Sequence, residues 1–159
     1  MPITVKPIPF EEIRVAPSLM LEVVESPILA RGMQYLINAC GYMKSRRRAN
    51  DGCVYMGTAG NKPQEQIVND IVMPAEEQGM GGKHLLIKYT SETKSYAIKD
   101  LGEGTGTFIK VDSVLPLKQG YIISFGDSHM AVNIRLNGKI QLKFLDGPKT
   151  DQTLYAIHC

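Results

Sequence analysis

The chain has 159 residues, enough for one domain with its own hydrophobic core and too few for two ordinary domains joined by a linker. Apolar residues make up 43% and charged residues 21%, globular values that exclude a disordered chain. No run approaches the roughly 18 apolar residues of a membrane span, and a net charge of +2 does not supply the clustered basic face that nucleic acid requires.

The start lacks the basic-then-apolar layout of a signal peptide, so an intracellular location, cytoplasmic or nuclear, is expected. Cys40, Cys53 and Cys159 are odd in number and show no C-x-x-C spacing; they read as reduced thiols.

Residues 1–18 carry Pro2, Pro7, Pro9 and Pro17, which predicts an extended N-terminal arm with no regular helix. Leu19 to Val24 is a short apolar run bounded by Pro17 and Pro27, as a strand should be. In residues 28–40, Ile28, Leu29, Met33, Leu36, Ile37 and Cys40 also fit helical spacing, so periodicity leaves helix and strand open. The polar stretch from Lys44 ends in Asp51-Gly52, a turn signal that predicts a hairpin over residues 42–57 with Arg46-Arg47-Arg48 solvated at its tip.

A polar loop (58–66), the apolar stretch Ile67 to Met73 and a glycine-rich loop (75–82) follow. His84 to Tyr89 and Ser95 to Lys99 are strands around a turn, the second with alternation at Tyr96 and Ile98. Thr107 to Val111, Tyr121 to Phe125, Ala131 to Leu136, Ile140 to Leu145 and Thr153 to Ile157 are further strands, and Asn137-Gly138 is a hairpin signal. About ten short strands with no long helix predict an all-β sandwich or barrel, a single domain over residues 19–159.

No catalytic residue, metal ligand set or cofactor is assigned. No serine or cysteine sits in a nucleophile setting such as G-x-S-x-G, and Glu11-Glu12 and Glu76-Glu77 fall in polar segments. Of His84, His129 and His158, only the last has a possible co-ligand nearby, and its adjacency to Cys159 hinders chelation. Gly102-x-Gly104-x-Gly106 lacks the lysine and the strand-to-helix context of a nucleotide loop, so it reads as a tight turn. Lys44 with Arg46-Arg47-Arg48 fits an import signal, a phosphate patch or a solvated turn. With no interleaved aromatic rings, an acidic protein surface suits it better than nucleic acid. His84 follows two glycines at the mouth of a strand, where an imidazole can tie adjoining loops through backbone groups.

Gly57, Asn69-Asp70-Ile71-Val72-Met73-Pro74, Gly81-Gly82-Lys83-His84, the stretch Asp100 to Phe108 and Phe125-Gly126-Asp127, taken in order over about residues 19–157, resemble the forkhead-associated (FHA) domain. The resemblance implies an FHA-like (SMAD/FHA) β-sandwich of about ten or eleven strands, with residues 28–40 as strand, a proline-containing N-terminal extension, and loops at one end that bind phosphothreonine peptides. Family members that bind phosphothreonine usually carry arginine after the first glycine, serine and arginine before the x-His, and asparagine before the Gly-Thr. Those positions here read Thr58, Gly81, Gly82 and Thr105, while Gly57, His84, Gly106 and Thr107 are retained as loop-shaping residues. A phosphate would then meet Lys62, Lys83, the Thr58 and Thr105 hydroxyls and the amides of Gly81 and Gly82, because a lysine with a nest of amides can hold an anion. The expected role is a non-enzymatic protein-protein interaction module whose partner is a protein or a phosphorylated peptide. The alternative is a degenerate FHA fold serving as a phospho-independent structural subunit of a larger assembly.

Overall fold

Short apolar runs punctuated by Gly, Pro, Asn and Asp become short strands. A computed structural model describes residues 8–60, 64, 66–125, 128–134, 140–145 and 153–155. Lys62, Gly126, Asp127, Asn137-Gly138, Ile157, His158 and Cys159 lie outside the described residues, as do Pro2 and Pro7 of the arm. The fold is all-β, FHA-like in its run of short antiparallel strands, and the chain divides into two compact units, Met1–Phe108 and Ile109–Cys159.

The first unit opens with α1 (Phe10–Val15) and holds β1 (Leu19–Glu22), β2 (Gln34–Asn38), β3 (Gly41–Tyr42), β4 (Cys53–Gly57), β5 (Ile71–Val72), β6 (Leu85–Thr90) and β7 (Ser95–Asp100). They form two sheets, β1-β2-β3 and β5-β4-β6-β7. All pairings are antiparallel except β4 with β5, where Met56 faces Ile71 and Gly57 faces Val72. Ile37, Val54, Met56, Ile71, Met73 and Ile87 are buried together, with Leu19, Leu21 and Tyr35 of the three-stranded sheet packed against them. At about 1.5–3 kcal/mol for each large apolar side chain removed from water, this cluster is the main force holding the two sheets face to face.

Within residues 28–40 the structure has strand, as the resemblance implies: Ile37 is buried while its neighbour Leu36 is exposed, the period-two signature of a pleated sheet. Elsewhere it corrects the local reading in three places. The arm contains a helix, α1, because Pro9 and Pro17 bracket a proline-free stretch and stand outside its ends, where they cost no helical hydrogen bond. The phenolic oxygen of Tyr96 donates to Pro17 O at 2.7 Å, and Ile8 lies against Gly52.

The predicted 42–57 hairpin does not form. Tyr42 pairs with Ile37 of β2, while β4 takes β6 and β5 as its neighbours. Finally, Thr107 to Val111 is not a strand: Phe108, Ile109 and Val111 are all exposed, so no alternation presents one apolar face to a sheet.

A charge network around the buried Asp70 replaces the hairpin turn. Arg47 points inward rather than into solvent: its Nε reaches both Asp70 oxygens (3.1 and 3.0 Å), its two terminal nitrogens reach the Asp51 carboxylate (both 2.9 Å), and one also donates to Cys53 O (2.8 Å). Asp70 additionally accepts from Ser45 Oγ (2.5 Å) and from the Tyr55 N–H (2.8 Å). Burial works to raise the Asp51 carboxyl, but the Arg47 hydrogen bonds, the Cys53 amide and the guanidinium charge outweigh it and hold the group below its ordinary value. A carboxyl depressed in the folded state contributes stability that is complete above the unfolded pKa of about 3.9 and is lost as pH falls through the folded value. The urea midpoint is therefore expected to drop as pH is lowered below about 4, with a shallower drop in Asp51→Asn; equal slopes in the two proteins would contradict this.

The second unit is one antiparallel sheet, β11-β10-β9-β8, made of β8 (Ile122–Phe125), β9 (Ser128–Ile134), β10 (Ile140–Phe144) and β11 (Thr153–Tyr155). Met130 and Val132 are buried on alternate positions of β9, and Met130 stands opposite the buried Phe144 of β10. Strands β9 and β10 are neighbours across residues 135–139.

Candidate functional site

Three loops of the first unit converge: residues 57–60 after β4, residues 73–84 before β6 and residues 101–108 after β7. Gly57 is there for want of a side chain. A Cβ at that position would collide with Gly82 O and lie 2.8 Å from Gly82 C and 3.0 Å from Gly81 O, so only glycine lets the first two loops touch. They are zipped by Thr58 N–H to Gly81 O (3.1 Å) and Ala59 N–H to Gly82 O (3.0 Å). Asn69, 1% exposed, sits beneath and donates its amide to both Ala59 O (2.9 Å) and Gly82 O (2.7 Å).

The second and third loops are joined with equal density. Thr105 N–H donates to Gly79 O at 2.7 Å, and Met80 bridges Gly104. Gly104 has φ +76°, and a Cβ there would run into Gly79 O and approach Gly81 N and His84 Nδ1 at 2.8 Å. His84 is buried; its Nδ1 accepts from Gly81 N–H (3.2 Å), which leaves the ring proton on Nε2 to donate to Gly106 O (3.3 Å). One imidazole thus spans both loops. Asp100, at the end of β7, is held below the usual carboxylate range by the Thr107 side chain and the Gly102 N–H, which fixes the start of the third loop.

Of the residues singled out from the sequence, Thr58, Gly81, Gly82, Lys83 and Thr105 come together in this cluster, as do Gly57, His84 and Gly106; Thr107 stands beside Asp100, and Lys62 lies outside the described residues. The two hydroxyls face inward. Thr58 Oγ1 donates to Gly81 O (3.3 Å) and Thr105 Oγ1 to Gly79 O (3.1 Å), so both brace the loops. Lys83 sets its ammonium 3.8 Å from the ring centroid of Tyr55, over which Arg47 also lies at 5.1 Å, a cation–π contact worth about 0.5–1 kcal/mol at an exposed site.

Two participants escaped sequence reasoning. Tyr55 gives Lys83 its resting place. Glu103 lays its carboxylate on the glycine loop: Oε2 accepts the Lys83 N–H at 2.7 Å. A Cβ on Gly81 would collide with the Glu103 side chain, and one on Gly82 would lie 3.5 Å from its Oε2. The absence of a side chain at 81 is thus sterically linked to Glu103. The available signal was an acidic residue inside a Gly-x-Gly turn, three residues beyond the end of a strand and opposite a glycine pair.

Among the described residues no His, Cys, Asp or Glu cluster is placed to share a metal ion, and no helix is long and apolar enough to cross a membrane. Burial raises the thiols of Cys40 and Cys53 above their ordinary value, which makes them poor nucleophiles. No curated protein and no solved structure matches the chain significantly. Residues 57–126 do match the family model of the FHA domain, over the stretch that contains the three converging loops. Residues 57–126 therefore carry an FHA domain, a family of protein-protein interaction modules.

Proposed function

We propose that the loop face of this FHA domain binds a phosphothreonine-containing peptide, its phosphate seated on the Gly81–Lys83 backbone and paired with the Lys83 ammonium. The observation that carries this reading is the Glu103 carboxylate at 2.7 Å from the Lys83 N–H: the loop already holds an anion. Glu103 is exposed, so its carboxylate can exchange for an incoming phosphate, and the Lys83 ammonium over Tyr55 is within a side chain's reach of the same amide. Residues 19–159 act as one module with residues 1–18 as its extension, a reading supported by a family match that runs across the boundary between the two units.

The test is binding of the full chain to a degenerate phosphothreonine peptide library and to its unphosphorylated twin. Glu103→Ala removes a like charge and a competing charge-assisted hydrogen bond, so it is expected to tighten phosphopeptide binding about tenfold, or about 1.4 kcal/mol. Lys83→Ala is expected to abolish the preference for phosphate.

A second reading, a phospho-independent structural subunit, is favoured by the inward-facing Thr58 and Thr105 hydroxyls and by the missing arginine at 58. It stands if neither wild type nor Glu103→Ala distinguishes the libraries and the chain instead purifies in a stoichiometric complex that phosphatase does not disturb.

A further inference from the structure

Away from the zipped loops, the 42–50 segment borders a trough that the loop-face reading does not use. Its side chains alternate. Ser45 and Arg47 turn inward, with Ser45 Oγ accepting from Arg47 N–H (3.0 Å) and donating to Asp70, while Lys44, Arg46 and Arg48 are exposed. Arg47, fully engaged with Asp51, Asp70 and Cys53, nails the segment down, and Arg48 and Asn50 take left-handed backbone (φ +51° and +50°) to complete the turn. Three cations are thereby held outward on an anchored backbone.

Two adjoining cavities, of about 170 and 680 Å³, share Lys44, Arg46 and Ile67 as lining and together make the trough. Asp70 is the carboxylate that lines it among the described residues; its side chain is 3% exposed and its charge is committed to Arg47. Lys44, Arg46 and Arg48 form no ion pair with a described residue. Beside these cations stand exposed apolar groups, Met43 and Ile67.

We infer that this trough docks an acidic peptide segment of a protein partner, carboxylates pairing with Lys44, Arg46 and Arg48 and an apolar side chain lying on Ile67 and Met43. Charge complementarity selects the occupant: a cationic trough whose one carboxylate among the described residues is paired with Arg47 attracts anions, and the apolar floor favours a segment that mixes Asp or Glu with Leu or Ile. A nucleic acid fits less well. Among the described residues the one ring lining the trough, Tyr42, is packed edge-on against Tyr35 at 6.2 Å, where it is not offered for base stacking, and a net charge of +2 gives little field to a long phosphodiester. This inference does not depend on phosphothreonine recognition.

The test uses the full chain and a fluorescent degenerate peptide library of Asp, Glu and Leu, with an Asn, Gln and Leu twin as control, read by anisotropy and by amide chemical shifts. The acidic library is expected to bind, to weaken with added salt and to shift amides of residues 42–50 and 66–72. The double charge reversal Arg46→Glu, Arg48→Glu, both exposed and outside the buried network, is expected to weaken binding about tenfold or more with an unchanged melting temperature. Lys94→Glu, on the β6–β7 turn, is the control and is expected to leave binding intact. Equal binding of the two libraries, insensitivity to the double reversal, or preference for a single-stranded oligonucleotide over the acidic library would each overturn the proposal.

Discussion

Replacing Asp70 by alanine is expected to lower the stability of the 1–108 unit by about 3–5 kcal/mol, because it breaks a buried ion pair by removing one partner. The carboxylate side chain is 3% exposed and accepts from Arg47 Nε, Ser45 Oγ and Tyr55 N–H. Alanine would leave a half-buried guanidinium short of a counter-charge and a backbone N–H of β4 without its acceptor, each a separate penalty of about 1–3 kcal/mol. Asp70→Asn retains the shape and one acceptor, and so is expected to fall between wild type and alanine. Urea denaturation followed by tyrosine fluorescence measures the difference; a loss below about 1 kcal/mol for alanine would mean that the network behaves as an ordinary surface pair. The same substitution frees Arg47, so the segment that carries Lys44, Arg46 and Arg48 loses its anchor and acidic-peptide binding should weaken in parallel.

Gly104→Ala is expected to cost about 2–4 kcal/mol, combining the left-handed backbone penalty with overpacking against neighbours that cannot yield. The clash is with backbone: a Cβ at 104 meets Gly79 O, Gly81 N and the ring of His84. Relief requires the third loop to lift away from the second, which severs the Thr105 to Gly79 bond, the Met80 bridge and the His84 link to Gly106. Loss of the contacts between the second and third loops should therefore accompany the loss of stability. Gly102→Ala is the informative control, since it shares the positive φ (+81°) but has nothing within 4 Å of its would-be Cβ. It should cost only about 1 kcal/mol and spare the loop contacts. Equal effects at 102 and 104 would show that backbone strain, and not the close approach of the loops, sets the requirement for glycine.

The strand content and the FHA character were legible because both are written locally. Short apolar runs bounded by Gly, Pro, Asn and Asp, the turn between β6 and β7, and Gly57, Gly81-Gly82-x-His84 and Gly106-Thr107 in order are properties of short stretches read one at a time. The loop cluster was legible in part: His84 after two glycines reads as an imidazole that ties adjoining loops, while Gly102, Gly104 and Gly106 read as a tight turn. Glu103 was not legible, because its role depends on which loop lies opposite and on the empty space over Gly81.

What the sequence determined by itself, then, was the class of fold, many of the places where the chain turns, and the presence of Thr58, Gly81, Gly82 and Thr105 on the loops. Tertiary structure alone decided partners. Asp51-Gly52 is a good hairpin signal, yet β3 joined β2 and β4 joined β5 and β6, because the apolar cluster around Val54 and Met56 rewards those neighbours and a turn propensity of a few tenths of a kcal/mol cannot compete. Arg47 sits among like charges in a polar run, and one of the two carboxylates that hold it inward, Asp70, lies 23 residues away. Thr107 to Val111 has strand composition, yet no strand among the described residues pairs with it. Local patterns record what a segment can form; which neighbour it forms it with is set by contacts between residues far apart in the chain.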